Sequence, residues 1–178
     1  LYVKLKDTKK IYELIVEVGK NFNLSNCGMH TMDVMRMESG FLHWGHDISP
    51  EENQYEAGLN FAISYKKDIK FIGRDTLFKI KDKKLNKRLV MLCLKESNPG
   101  EPLLLHDEPI YLDDKIIGVT TSGNFSFNYN KNLSFGYIKS DLSNEELLKE
   151  NLYIEIEKKK YSAEILLKPL KLTNFKNL

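Results

Sequence analysis

The chain has 178 residues, 42% of them hydrophobic and 29% charged, with a formal net charge of +2. This is long and apolar enough for a buried core in one or two globular domains, and the near-neutral balance gives no electrostatic reason to expect nucleic acid. No run approaches the ~18 uninterrupted apolar residues of a membrane-spanning helix.

Asp7-Thr8 can cap a helix in which Ile11, Leu14, Ile15 and Val18 repeat at helical spacing on one side. Asn21 to Asn26 reads as a loop. A second helix is predicted from Met29 to Glu38, with Met29, Met32 and Met35 on one face and Gly40 as its stop. Ser49-Pro50-Glu51-Glu52 has the pattern of a capping box that opens only a short turn, because Gly58 follows soon. Leu59, Phe61, Ile63 and Tyr65 alternate and predict a strand. Gly73-Arg74-Asp75 opens a helix carrying Leu77, Phe78 and Ile80.

The character changes near Lys83-Lys84. Beyond it the apolar runs are short and strand-like: Arg88 to Lys95, Pro109 to Leu112, Lys115 to Thr121, Ser134 to Lys139, Tyr153 to Glu157 and Tyr161 to Leu167. Asp113-Asp114 joins two of them as a hairpin, and Lys158-Lys159-Lys160 forms the solvated tip of another. Ser122 to Phe125 reads as a turn, and Ser143 can cap a short helix inside 142–151. The fold class is therefore α+β, an α/β segment followed by a small antiparallel barrel or sandwich, with a boundary near residue 84.

Cys27 and Cys93 have neither zinc-binding nor redox spacing. Cys93, inside an apolar run, reads as a small buried hydrophobe, and a reducing compartment such as the cytoplasm fits. His43-x-x-His46-Asp47 offers two imidazoles but no third ligand, so no metal is assigned. A turn held by hydrogen bonds, with Trp44 packed beneath it, is the expectation there. Arg36 can pair with Asp33 one turn back or reach a carboxylate ligand. Glu56, ahead of Ala57-Gly58, can bond backbone N–H groups or the donors of a heterocycle. No phosphate-binding loop, dinucleotide fingerprint, nucleophile elbow or paired catalytic carboxylates occur, and no residue is assigned a catalytic role.

Several stretches taken together resemble one family. They are Gly28-Met29-His30, Met35-Arg36-Met37-Glu38-Ser39-Gly40, His43-Trp44-Gly45-His46-Asp47-Ile48, Glu56-Ala57-Gly58-Leu59 and Phe71-Ile72-Gly73-Arg74. Arg88-Leu89-Val90, Gly118-Val119-Thr120-Thr121-Ser122-Gly123 and Leu133-Ser134-Phe135-Gly136-Tyr137-Ile138 follow in order. In this order they resemble the C-terminal half of the aminomethyltransferase, or glycine cleavage T-protein, family, and within it the T-like module that ends dimethylglycine and sarcosine dehydrogenases. The His43-Trp44-Gly45 variant, where T-proteins usually have Tyr-Gly, points to that module.

The resemblance implies that residues 1–84 are the C-terminal part of a folate-binding domain and 85–178 the family's β-barrel domain. It implies tetrahydrofolate as cofactor, with Arg36, Glu56 and Trp44 on its side. The expected partners are folate, a methylamine-type or aminomethyl substrate, and either a flavin domain or a lipoyl carrier protein. FAD would enter only through an upstream domain. The family's catalytic Asp lies in an N-terminal half absent from this sequence, and the start at Leu1-Tyr2-Val3 reads as a cut inside a longer polypeptide. The fragment alone is accordingly expected to be inactive. T-proteins proper also carry an Arg-Asp pair where this chain has Met32-Asp33, a loss the dehydrogenase-type modules share. The implied activity is one-carbon transfer to tetrahydrofolate inside a demethylating flavoenzyme. The alternatives are a stand-alone T-protein, a folate-dependent S- or O-demethylase, and a non-catalytic regulatory descendant.

Overall fold

The computed structural model describes residues 1–66 and 69–166. Two compact units emerge, Leu1–Met32 and Asp33–Leu178.

The first unit is built on helix α1, Thr8–Gly19. Asp7 sits at its N-cap, but its side chain makes no capping bond. A single 3-10 turn, Leu5–Asp7, leads in, and the Thr8 hydroxyl donates back to the Lys4 carbonyl. The predicted apolar stripe forms but faces outward, with Leu14 60% and Val18 51% exposed. Leu24 closes over the helix end, its amide bonded to the Gly19 carbonyl. Helix α2, Met29–Glu38, begins in this unit and ends in the second. Its stop is a Schellman motif: Phe41 N–H donates to Arg36 O and Gly40 N–H to Met37 O, with Gly40 at φ +76°.

In the second unit, residues 39–66 form turns and no strand. The alternating stretch from Leu59 to Tyr65 contains a 3-10 turn, Asn60–Ala62, which corrects the predicted strand. Phe61 is 81% exposed, and among the described residues no neighbouring strand supplies the ladder that alternation alone cannot create. Only half of the predicted capping box forms: the Ser49 N–H and hydroxyl both donate to the Glu52 carboxylate, while the hydroxyl accepts from Glu51 N–H instead of Glu52 N–H, and only a turn results. Gly73, at φ +85°, leads into helix α3, Arg74–Ile80.

Six antiparallel strands then close into a barrel. They are β1 Arg88–Leu94, β2 Pro109–Leu112, β3 Lys115–Ser126, β4 Lys131–Ile138, β5 Leu152–Ile156 and β6 Lys159–Leu166, in spatial order β1-β4-β3-β2-β5-β6 with β6 returning to β1. Leu167, the expected end of the last strand, lies outside the described residues. The interior is filled by Leu92, Leu94, Ile110, Ile138, Leu152 and Ile154, all at most 1% exposed. β1 is buried on both faces: Val90, Leu92 and Leu94 point inward, while Met91 and Cys93 pack outside against Met37, Leu133 and Phe135. That double burial explains its unbroken apolar run. Ser143 and Glu146 complete a capping box on the short helix α4, Asn144–Leu147. Ser122 to Phe125, read from sequence as a turn, instead lie within β3.

Candidate functional site

The His43–Ile48 turn is organised around Asp47, whose side chain is fully buried. One carboxylate oxygen accepts the His43 N–H at 2.8 Å and the Arg36 guanidinium. The other accepts the hydroxyls of Thr121 at 2.6 Å and Ser122 at 2.7 Å. Successive residues of a regular strand point to opposite faces. Both hydroxyls reach one oxygen because β3 bulges here: Thr120 pairs with Gly136 and Ser122 with Phe135, leaving Thr121 without a partner on β4. Tyr137 adds its hydroxyl to the Asp47 carbonyl at 2.9 Å, and burial pushes the Tyr137 phenol pKa above its ordinary value.

Arg36 is the hub of this cluster. Nε donates to Asp33 at 2.8 Å, Nη2 to Ser122 at 2.6 Å, and Nη1 to Asp47 and the Phe41 carbonyl. Nη2 also lies 2.7 Å from Asp33, and the guanidinium sits over the Phe135 ring at 5.7 Å. With its side chain 14% exposed and its donors engaged, Arg36 reaches a ligand only by surrendering one of these bonds. Its neighbour Glu38 is buried too, accepting from Ser126 and Asn128. The two side chains fasten the end of α2 to β3 and the turn that follows it.

Glu56 is 6% exposed and accepts the Asn53 N–H at 3.2 Å. It lines a cleft of about 750 Å³ whose other walls include Phe41, Phe61, Arg88 and Phe135. Within the described residues, Arg88 keeps a buried Nε with no partner, and burial lowers its pKa. Trp44 departs from its predicted packing: it is 64% exposed. The turn is anchored through Asp47 beneath it, and the indole faces outward.

The structure thus brings Arg36 into the Asp47 cluster, places Glu56 in the cleft, and sets Trp44 on the surface. Asp47, Thr121 and Ser122 were not singled out from sequence as a cluster. The one legible signal was their membership in two separate family-like stretches.

Comparison with known proteins supplies the context. Residues 1–67 match the GCVT N-terminal domain, and residues 87–171 match the glycine cleavage T-protein C-terminal barrel domain. Mitochondrial dimethylglycine dehydrogenase of Rattus norvegicus is 33% identical over 173 residues, which cover 97% of this chain and 20% of the relative. The aminomethyltransferase of Symbiobacterium thermophilum is 34% identical over 78% of this chain and 36% of its own. The crystal structure of glycine cleavage system aminomethyltransferase T from Bartonella henselae superposes with a TM-score of 0.74 at 20% identity, covering 89% of this chain and 43% of that one. The chain therefore spans between a fifth and less than half of the length of these relatives.

Proposed function

Because the chain belongs to the glycine cleavage T-protein family, we propose that it is the C-terminal portion of a tetrahydrofolate-dependent aminomethyltransferase-like module within a demethylating flavoenzyme. The observation that carries this reading is the match to mitochondrial dimethylglycine dehydrogenase across 97% of the chain. A sarcosine dehydrogenase of Mus musculus, 30% identical over 78% of the chain, supports the same class of donor, an N-methylated amine. Tetrahydrofolate would accept the one-carbon unit, and FAD would act only through an upstream domain.

The residues of this chain fit a pterin in part. Glu56 offers a buried carboxylate at a cleft of suitable size, where it can accept N–H donors of a heterocycle. Trp44 offers an exposed aromatic face. Arg36 serves this site as a positioning group, since its donors hold Asp47, Ser122 and Asp33. No side chain here takes a catalytic role in this reading, and the fragment alone is inactive. The division of family domains at residue 84 belongs to the same reading; the two matched stretches end and begin on either side of it. A cytoplasmic location is also part of it, although the rat relative is named as mitochondrial.

A stand-alone T-protein acting with a lipoyl carrier is the second reading, favoured by the aminomethyltransferase relatives and the structural likeness.

The test is calorimetric titration of the full-length polypeptide with tetrahydrofolate, alongside Trp44→Ala and Glu56→Gln. Saturable binding that weakens in both variants supports the module. A folded polypeptide that ignores tetrahydrofolate refutes it and favours a regulatory descendant.

A further inference from the structure

Three of the four histidines in the sequence meet on one surface of the second unit. The rings of His43 and His46 lie 4.6 Å apart between centroids, and those of His46 and His106 6.5 Å. From sequence the first two lack a third ligand; the fold brings His106 up from a different loop. Its Nδ1 sits 2.8 Å from the carboxylate of Asp107, so Nε2 is the ring nitrogen available to a ligand.

Both loops are held by the same short stretch of β3. The His43–His46 turn hangs on Asp47, which is bonded to Thr121 and Ser122. The His106 loop hangs on Thr120: Asp107 N–H donates to the Thr120 carbonyl at 2.8 Å, and Thr120 N–H to the Glu108 carbonyl at 2.9 Å. The Glu108 N–H also donates to the Thr120 hydroxyl at 2.9 Å. The imidazoles are therefore carried on a fixed backbone.

We propose that His43, His46 and His106 form a surface site for a divalent transition-metal ion such as Zn2+ or Ni2+. Imidazole nitrogen suits these ions. With metal–nitrogen bonds of about 2.0–2.1 Å, two imidazoles on a tetrahedral ion have centroids roughly 5 Å apart. His43 and His46 already satisfy that spacing. Among the described residues no three ligands converge on one point as the structure stands, so a bound ion would have to draw in His106, whose side chain is 61% exposed and moves together with the exposed Asp107 that it pairs with. Asp107 orients the His106 ring from behind, as a carboxylate does for many metal-bound histidines. The ion would tie the two loops together beside Trp44. This inference is independent of the folate reading.

The site can be tested on the full chain carrying Cys27→Ser, which removes the exposed thiol as a competing ligand. Calorimetry follows Zn2+, and quenching of Trp44, the only tryptophan, follows Ni2+. We expect one ion per chain, with binding weakened about tenfold or more by His46→Ala and by His106→Ala. His30→Ala, outside the cluster, leaves binding unchanged, and circular dichroism verifies that each variant is folded. Binding by His106→Ala as tight as that of the parent reduces the site to a surface histidine pair and overturns the proposal. Absence of saturable binding up to about 1 mM, an affinity of only ~4 kcal/mol, overturns it as well.

Discussion

Replacing Asp47 with Ala tests the claim that one buried carboxylate holds the His43–Ile48 turn on the barrel. The substitution removes the acceptor for Arg36, Thr121, Ser122 and the His43 N–H together. Breaking a buried ion pair by deleting one partner costs about 3–5 kcal/mol. Each orphaned buried donor adds roughly 1–3 kcal/mol if nothing replaces the bond. These costs do not simply add. Arg36 keeps Asp33, and the Ser122 hydroxyl can still accept from Arg36. A net loss of about 4 kcal/mol follows, which for a chain of this size lowers Tm by roughly 8–16 °C. Urea unfolding followed by far-ultraviolet circular dichroism would show a lower midpoint with an unchanged slope. Asp47→Asn can keep its amide oxygen on the Arg36 and His43 donors and turn its NH2 to the Thr121 and Ser122 hydroxyls, which can accept, so it should cost less than Asp47→Ala, mainly through the lost charge opposite Arg36. The paired change Arg36→Met with Asp47→Leu should recover part of the Asp47→Ala loss, because no fully buried charge is then stranded; Asp33 loses its partner but its side chain is 31% exposed to solvent. A loss below about 1 kcal/mol in Asp47→Ala would refute the reasoning, since it would mean the turn is held by other contacts.

Three further outcomes follow from the packing. Gly118→Ala should destabilise the barrel by about 1–3 kcal/mol or more, because a Cβ there would stand 1.9 Å from the Tyr137 carbonyl oxygen; a chemical melt equal to that of the parent would count against the close β3–β4 approach. Thiol titration of the native chain should register Cys27 promptly and Cys93 only after denaturation, since burial pushes the Cys93 thiol up to about 11. Acid should weaken the fold partly through Glu52. Burial would raise its carboxyl pKa, but the bonds from Lys87 and Ser49 outweigh that and hold it below its ordinary 4.5. A carboxyl with a depressed folded pKa contributes stability that is full above 4.5 and drains away as pH falls through the folded value. Stability profiles of the parent and Glu52→Gln should therefore converge toward low pH, and parallel profiles would exclude the Glu52–Lys87 pair as a source of acid sensitivity.

Sequence alone determined most of the local structure. Helical spacing and the Gly40 stop place α2 at Met29–Glu38, and apolar runs separated by turn residues place all six strands. These signals are legible because they depend on a residue's near neighbours: a cap, a period, a glycine at positive φ. The family-like stretches were legible for another reason, their shared order. The alternation from Leu59 to Tyr65 misled, since a strand forms only where another strand offers its backbone. The tertiary fold alone decided that Ser122 to Phe125 continue β3, and that a bulge at Thr121 turns two adjacent hydroxyls onto Asp47. It also brought His106 to His46 and committed the Arg36 donors to protein partners. Those contacts join residues far apart in the chain, and their energies come from burial and strand register, which local pattern does not encode.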